Sequence, residues 1–192
     1  MAKKTQILMH NLPAGIVVTP RVDSLVLPLS ESADYSHLFE NSDDWARVSD
    51  LTREISNSES VSLYLGGGTV NNWLFRGERG RDTDLLAVVD ILRFPTRQRF
   101  LPSGIFQLLS LAHEKREQDR TTMIGNYGYI LGNQPVKKYM NIDSGVERLI
   151  LTPIRTLEEN RQRITPRTID LSLTSRANFE RCYKNLNTTG AK

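Results

Sequence analysis

Two aspartates one residue apart, Asp82 and Asp84, open the apolar run Leu85-Leu86-Ala87-Val88-Val89, and a glycine triplet, Gly66-Gly67-Gly68, stands upstream of them. Both groups bear on phosphate chemistry. Side chains at i and i+2 of a strand share a face, so the two carboxylates point the same way. Side by side they repel unless a cation neutralises them, and hard oxygen ligands suit Mg²⁺ best when phosphates complete its shell. The glycines let the backbone turn sharply and let a bulky anion approach without meeting a Cβ. Thr69 can cap a helix begun there, and the unpaired N–H groups at a helix start favour a phosphate. Taken singly, the triplet is an ordinary strand–helix turn and the aspartates are solvated charges. Their order and spacing together carry the reading.

The elements around these residues follow from periodicity. Val61, Leu63 and Leu65 alternate with Ser62 and Tyr64, which reads as a strand, and Val70, Trp73 and Leu74 form one stripe of a short helix. Gly77 and Gly80 break that helix into a basic turn with Arg76, Arg79 and Arg81. Arg79 and Arg81 either brace a triphosphate or are solvated loop charges. Thr69 and Asn72 carry the same two readings.

Gly67-Gly68, a short helix, then Asp82-Thr83-Asp84 resembles the signature of the nucleotidyltransferase superfamily, the DNA polymerase β-like fold. The local likeness is to tRNA CCA-adding enzymes and to the nucleotidyltransferase toxins of toxin–antitoxin pairs. CCA-adding enzymes usually show Val-Arg-Asp after the glycines, whereas this chain has Val70-Asn71-Asn72 and a longer loop before the aspartates. The likeness covers about thirty residues firmly. It implies that Gly67, Gly68 and Thr69, with Arg79 or Arg81, hold a nucleoside triphosphate. It also implies that Asp82 and Asp84 bind Mg²⁺, or Mn²⁺ in its stead, and that a carboxylate from a later strand joins them.

Asp90 lies six residues beyond Asp84, about 20 Å along a strand, too far to share a metal. Asp143 is better placed. Residues 123–131 read as a strand, Gly132-Asn133-Gln134-Pro135 as a turn and 136–142 as a returning strand that ends at Asp143. Asp143 either completes the metal site or belongs to the Asp143-Ser144-Gly145 turn; Asp170 is the reserve candidate.

Further out, residues 16–18 and 25–27 read as an early pair of short strands. Ser42 can cap a helix bearing Trp45, Val48, Leu51 and Ile55, with its acidic outer positions in water. Ser103 can cap another, with Ile105, Leu108, Leu109 and Ala112 inward. Arg148-Leu149-Ile150-Leu151 is strand-like, and residues 158–164 and 175–186 read as helical. The expected fold is α/β (α+β), a mixed sheet in a nucleotidyltransferase-like core flanked by helices. Residues 1–59 would pack strands and a helix on a core of 60–145, and 146–192 would add a basic strand and helices, all in one compact domain.

With 192 residues and 39% hydrophobic content the chain can bury one core. No apolar run approaches a membrane span, and Met1-Ala2-Lys3-Lys4-Thr5 lacks a signal-like stretch, so a cytoplasmic protein without a membrane partner is expected. Cys182 is the only cysteine, which excludes an internal disulfide and a thiolate metal cluster. No His-x-x-x-His pair, Gly-x-Ser-x-Gly elbow or Walker-type lysine is present. The net charge is +3, with residues 31–60 acidic and the C-terminal third basic, an asymmetry that could steer a polyanion. The expected activity is transfer of a nucleotide from a triphosphate to an acceptor hydroxyl, with tRNA or another RNA favoured over protein or a small molecule. Two alternatives stand beside it: a non-catalytic nucleotide- or RNA-binding regulator, and a toxin held by an antitoxin protein.

Overall fold

In four strands of this protein the apolar residues of the main core fall on odd numbers. Val61, Leu63 and Leu65, then Leu85, Ala87 and Val89, then Leu149 and Leu151, then Ile169, Leu171 and Leu173 are all buried in one cluster. Period-two burial of that kind dictates a sheet with its packed side toward helices. The computed structural model describes residues 24–56, 61–89, 103–114, 116, 118, 120–134 and 147–185.

The described elements run β1 (Ser24–Leu29), α1 (Ser42–Ser56), β2 (Val61–Leu65), α2 (Gly67–Arg76), β3 (Thr83–Val89), α3 (Ser103–His113), β4 (Thr121–Ile124), β5 (Tyr127–Gln134), β6 (Glu147–Pro153), α4 (Leu157–Gln162), β7 (Ile169–Ser175), α5 (Arg176–Cys182) and β8 (Tyr183–Asn185). The fold is α+β. Seven strands form a mixed sheet, and the three-residue β8 adds to its edge, giving the order β4-β5-β6-β7-β3-β2-β1-β8. β3 and β7 run parallel, as do β1 and β8, and the other neighbours are antiparallel. Strands from all three expected segments, 1–59, 60–145 and 146–192, therefore share one sheet.

Helices α1, α2 and α3 bring Val48, Leu51 and Ile55, then Val70 and Leu74, then Ile105, Leu108, Leu109 and Ala112 onto the odd-numbered face. On the even-numbered face a smaller cluster joins Val26, Tyr64, Leu86, Val88 and Phe179 of α5. There the Tyr64 and Phe179 rings lie 4.5 Å apart between centroids. Among the described residues no helix is long and apolar enough to cross a membrane.

Several expectations need correction. The cap of α1 is Asn41, whose Oδ1 accepts the Asp43 N–H at 3.0 Å, and Ser42 is already helical. Asp44, expected in water, is buried against Arg167. Residues 123–131 are not one strand, because Gly125-Asn126 turns the chain between β4 and β5 and Gly125 takes φ +56° there. The Gly132-Asn133-Gln134 turn is likewise strand, paired with β6. The C-terminal helix stops at Cys182, and Tyr183 lies on β8. Residues 16–18, the returning strand 136–142 and Asp143 lie outside the described residues.

Candidate functional site

The site is built where β2 hands over to α2. Gly66 ends the strand, and its N–H donates to the Asp84 carbonyl at 2.9 Å, locking the turn against β3. Gly67 takes φ +50°, and a Cβ there would stand 2.5 Å from Asp84 Cγ, so only glycine fits. The Gly68 N–H donates to Asp84 Oδ2 at 2.7 Å and the Thr69 N–H approaches the same oxygen at 3.4 Å. A carboxylate thus sits on the free N–H groups of a helix start, where the dipole favours negative charge.

Thr69 does not cap. It is buried inside α2, its hydroxyl donates to the Asp82 carbonyl at 3.2 Å and accepts the Asp84 N–H at 3.0 Å. That pair of bonds holds the start of β3 in register with α2. Asp82 precedes the strand, which begins at Thr83, and is exposed, whereas Asp84 is half-buried. Burial, then the neighbouring Asp82 charge, raises the Asp84 pKa above the ordinary carboxylate range, against the lowering bonds from Gly68 and Thr69.

Asp84 of β3 stands directly opposite Asp170 of β7 in the parallel ladder. Neighbouring strands lie about 4.8 Å apart, and paired residues present side chains to the same face. Asp170 is buried and engaged by Arg148 of β6: Nε donates to Oδ1 at 2.6 Å and Nη2 bonds Oδ2. The Arg148 charge also lowers the Asp84 pKa, so one guanidinium acts on both carboxylates.

Gly67, Gly68, Thr69 and Asp84 therefore meet, with Asp82 at the entrance of the strand. Arg79 and Arg81 are exposed on the turn, with the Arg79 guanidinium 5.9 Å from the centre of the Trp73 ring. Asp170, the reserve candidate, stands on a neighbouring strand beside Asp84, and Asp143 lies outside the described residues. Arg148 was missed. Its only signal is its even number in the strand-like run 148–151, which reveals a facing residue once β6 is known to pair β7 in the register Ile150 to Asp170.

Among the described residues no group of three or more His, Cys, Asp or Glu is gathered closely enough to hold a metal ion. The donor chemistry of the pair, two carboxylates of which Asp82 raises the pKa of Asp84 by its charge, is nevertheless that of a hard divalent cation's ligands. No family model matches the chain, and no curated protein or solved structure matches it.

Proposed function

We propose that this protein is a metal-dependent nucleotidyltransferase of the polymerase β-like kind, which moves a nucleotide from a nucleoside triphosphate to an acceptor hydroxyl. The observation that carries the reading is the register of Asp84 with Asp170 beside a glycine turn whose N–H groups already hold a carboxylate. A site that binds one oxyanion at a helix start suits another.

In the proposed reaction the acceptor oxygen bonds the α-phosphorus, the bond from that phosphorus to the bridging oxygen breaks, pyrophosphate leaves and the hydroxyl proton goes to water. Asp82 and Asp84, with Asp170 as the third carboxylate, would hold Mg²⁺ or Mn²⁺. Such ions, when bound, activate the attacking hydroxyl and stabilise the leaving pyrophosphate. The Gly68 and Thr69 N–H groups, which now face Asp84, would turn to the triphosphate, and the missing Cβ of Gly67 keeps that approach open. Arg148 would relieve charge at Asp170 and Asp84.

The test is transfer of label from α-labelled ATP, CTP, GTP and UTP to total RNA and to whole-cell protein with Mg²⁺, beside the Asp82→Ala/Asp84→Ala variant. Label with the unaltered protein alone supports the reading and names donor and acceptor class. One observation favours a second reading, a nucleotide-binding regulator without turnover: Asp170 is already neutralised by Arg148. Mg²⁺-dependent triphosphate binding without pyrophosphate release would select it.

A further inference from the structure

A cavity of about 630 Å³ lies between the start of α1, the Arg79-Gly80-Arg81 turn and residues 164–167. That is the size of a small-ligand pocket. Its polar wall holds Asn41, Ser42, Asp44, Arg79, Arg81 and Arg167. Asp44 and Arg167 are buried and committed to each other: the Arg167 N–H donates to Asp44 Oδ1 at 2.8 Å, and the guanidinium lies 5.1 Å from the Phe39 ring centre.

Among the other donors, the Arg79 guanidinium lies 5.9 Å from the Trp73 ring centre. Arg79 and Arg81 are exposed and have no ion-pair partner among the described residues. Asn41 uses its Oδ1 on the helix start, which leaves Nδ2 buried without a hydrogen-bond partner among the described residues. Two exposed guanidiniums without an ion-pair partner among the described residues, in the wall of one cavity, suit an oxyanion, and the fork of an arginine matches phosphate geometry. The carboxylate of Glu40, exposed on the same wall, offers an acceptor to a ligand that also carries N–H or O–H groups.

The cavity also adjoins the reaction site. A Cβ on Gly80, in its wall, would stand 3.3 Å from the Asp82 carbonyl oxygen and 3.5 Å from Gly68 C and Thr69 Cα. Gly80 thus packs against the phosphate turn while lining the cavity.

We propose that this cavity binds the acceptor, a phosphate-bearing molecule of nucleotide size with a free hydroxyl, held by Arg79 and Arg81. Its role as acceptor rests on the transferase reading; its chemical class rests on the cavity. Arg79 and Arg81 then serve the acceptor rather than the donor triphosphate. The phosphate comes either from a free nucleotide or from the end of a single strand of RNA.

Calorimetric titration in EDTA, which silences any metal-dependent site, separates the possibilities. The probes are the four nucleoside 5′-monophosphates, the matching nucleosides and a short single-stranded oligoribonucleotide. At least one monophosphate should bind, at least about tenfold tighter than its nucleoside. Arg79→Gln/Arg81→Gln should weaken it by about tenfold or more, at unchanged melting temperature. Thr165→Trp, which fills the cavity from an exposed position, should do the same. Tighter binding of the oligoribonucleotide assigns the phosphate to a strand end, and tighter binding of the monophosphate to a free nucleotide. No affinity for any monophosphate, or affinity that survives both variants, overturns the proposal. If the monophosphate binds as described but no label is ever transferred from a triphosphate, the transferase reading fails and the cavity remains a nucleotide site.

Discussion

The two faces of the sheet are drawn from the same strands and differ sharply in chemistry. The odd-numbered face is a continuous layer of Leu, Ile, Val and Ala under three helices. The even-numbered face is apolar around Tyr64, Leu86, Val88 and Phe179, where α5 covers it, and also carries Asp84, Asp170, Ser172 and Arg148. One face is the main core and the other carries charged and polar side chains. The difference teaches that β3 and β7, locked by their odd residues, are thereby made to hold two carboxylates side by side. Ion pairs follow the same division. Arg47–Glu159 is buried on the helix side, at 2.5 Å between Nη2 and Oε1, with Arg47 also 4.1 Å from the Tyr127 ring centre. Arg148–Asp170 lies on the open side, with the arginine partly exposed.

If the helix side is structural, damage there should register as stability. Glu159→Gln leaves Arg47 buried without its counter-charge and should cost about 3–5 kcal/mol in urea unfolding. Burial raises the Glu159 pKa, but the Thr156 and Arg47 hydrogen bonds outweigh it and leave the group below its ordinary 4.5. A depressed carboxylate stabilises fully above its unfolded pKa, so the gap between wild type and Glu159→Gln should be widest near neutrality. It should close as the pH falls below about 4.5. A gap independent of pH would mean that packing, not charge, holds α4 to α1.

Leu171→Ala, on the buried face of β7, should cost about 3 kcal/mol through the cavity it leaves. Asp84→Asn should act in the opposite sense. It removes a half-buried charge beside Asp82, and the melting temperature should rise by a few degrees at pH 7. A lowered melting temperature would mean that the capping bonds from Gly68 and Thr69 outweigh the repulsion. Ile130→Ala on the open face, at a residue 47% exposed, should stay within about 0.5 kcal/mol of wild type. Together these four substitutions make the contrast between faces quantitative.

The β2–α2–β3 unit was legible because each of its signals is local. Alternation marks β2, glycine marks the turn, and Val70 with Leu74 marks the buried stripe of α2. What could not be read was pairing. The hairpin of β4 and β5 hides its turn in Gly125-Asn126, two residues inside a β-prone run, and its second strand continues through a stretch rich in turn formers because β6 supplies partners there. Asp143, the first-named candidate to join the aspartate pair, lies outside the described residues, and the position of Asp170, the reserve, answers to pairing too. Asp170 lies 86 positions beyond Asp84 in the chain, and only the parallel register of β3 with β7 brings them together. Thr69 looked like a cap by its type and is instead a buried tether, since its hydroxyl has better partners in Asp82 and Asp84. Caps and turns answer to their neighbours in the chain; register answers to the rest of the sheet.

On the transferase reading, Asp84, Asp170 and the Gly67-Gly68 turn form one metal-dependent triphosphate site. The most direct measurement is calorimetric titration of a non-hydrolysable nucleoside triphosphate with and without Mn²⁺, on wild type, Asp84→Asn and Asp170→Asn. The expected result is Mn²⁺-dependent binding in wild type, weakened at least about tenfold by either substitution. Binding that needs no metal, or that Asp170→Asn leaves untouched, would contradict it.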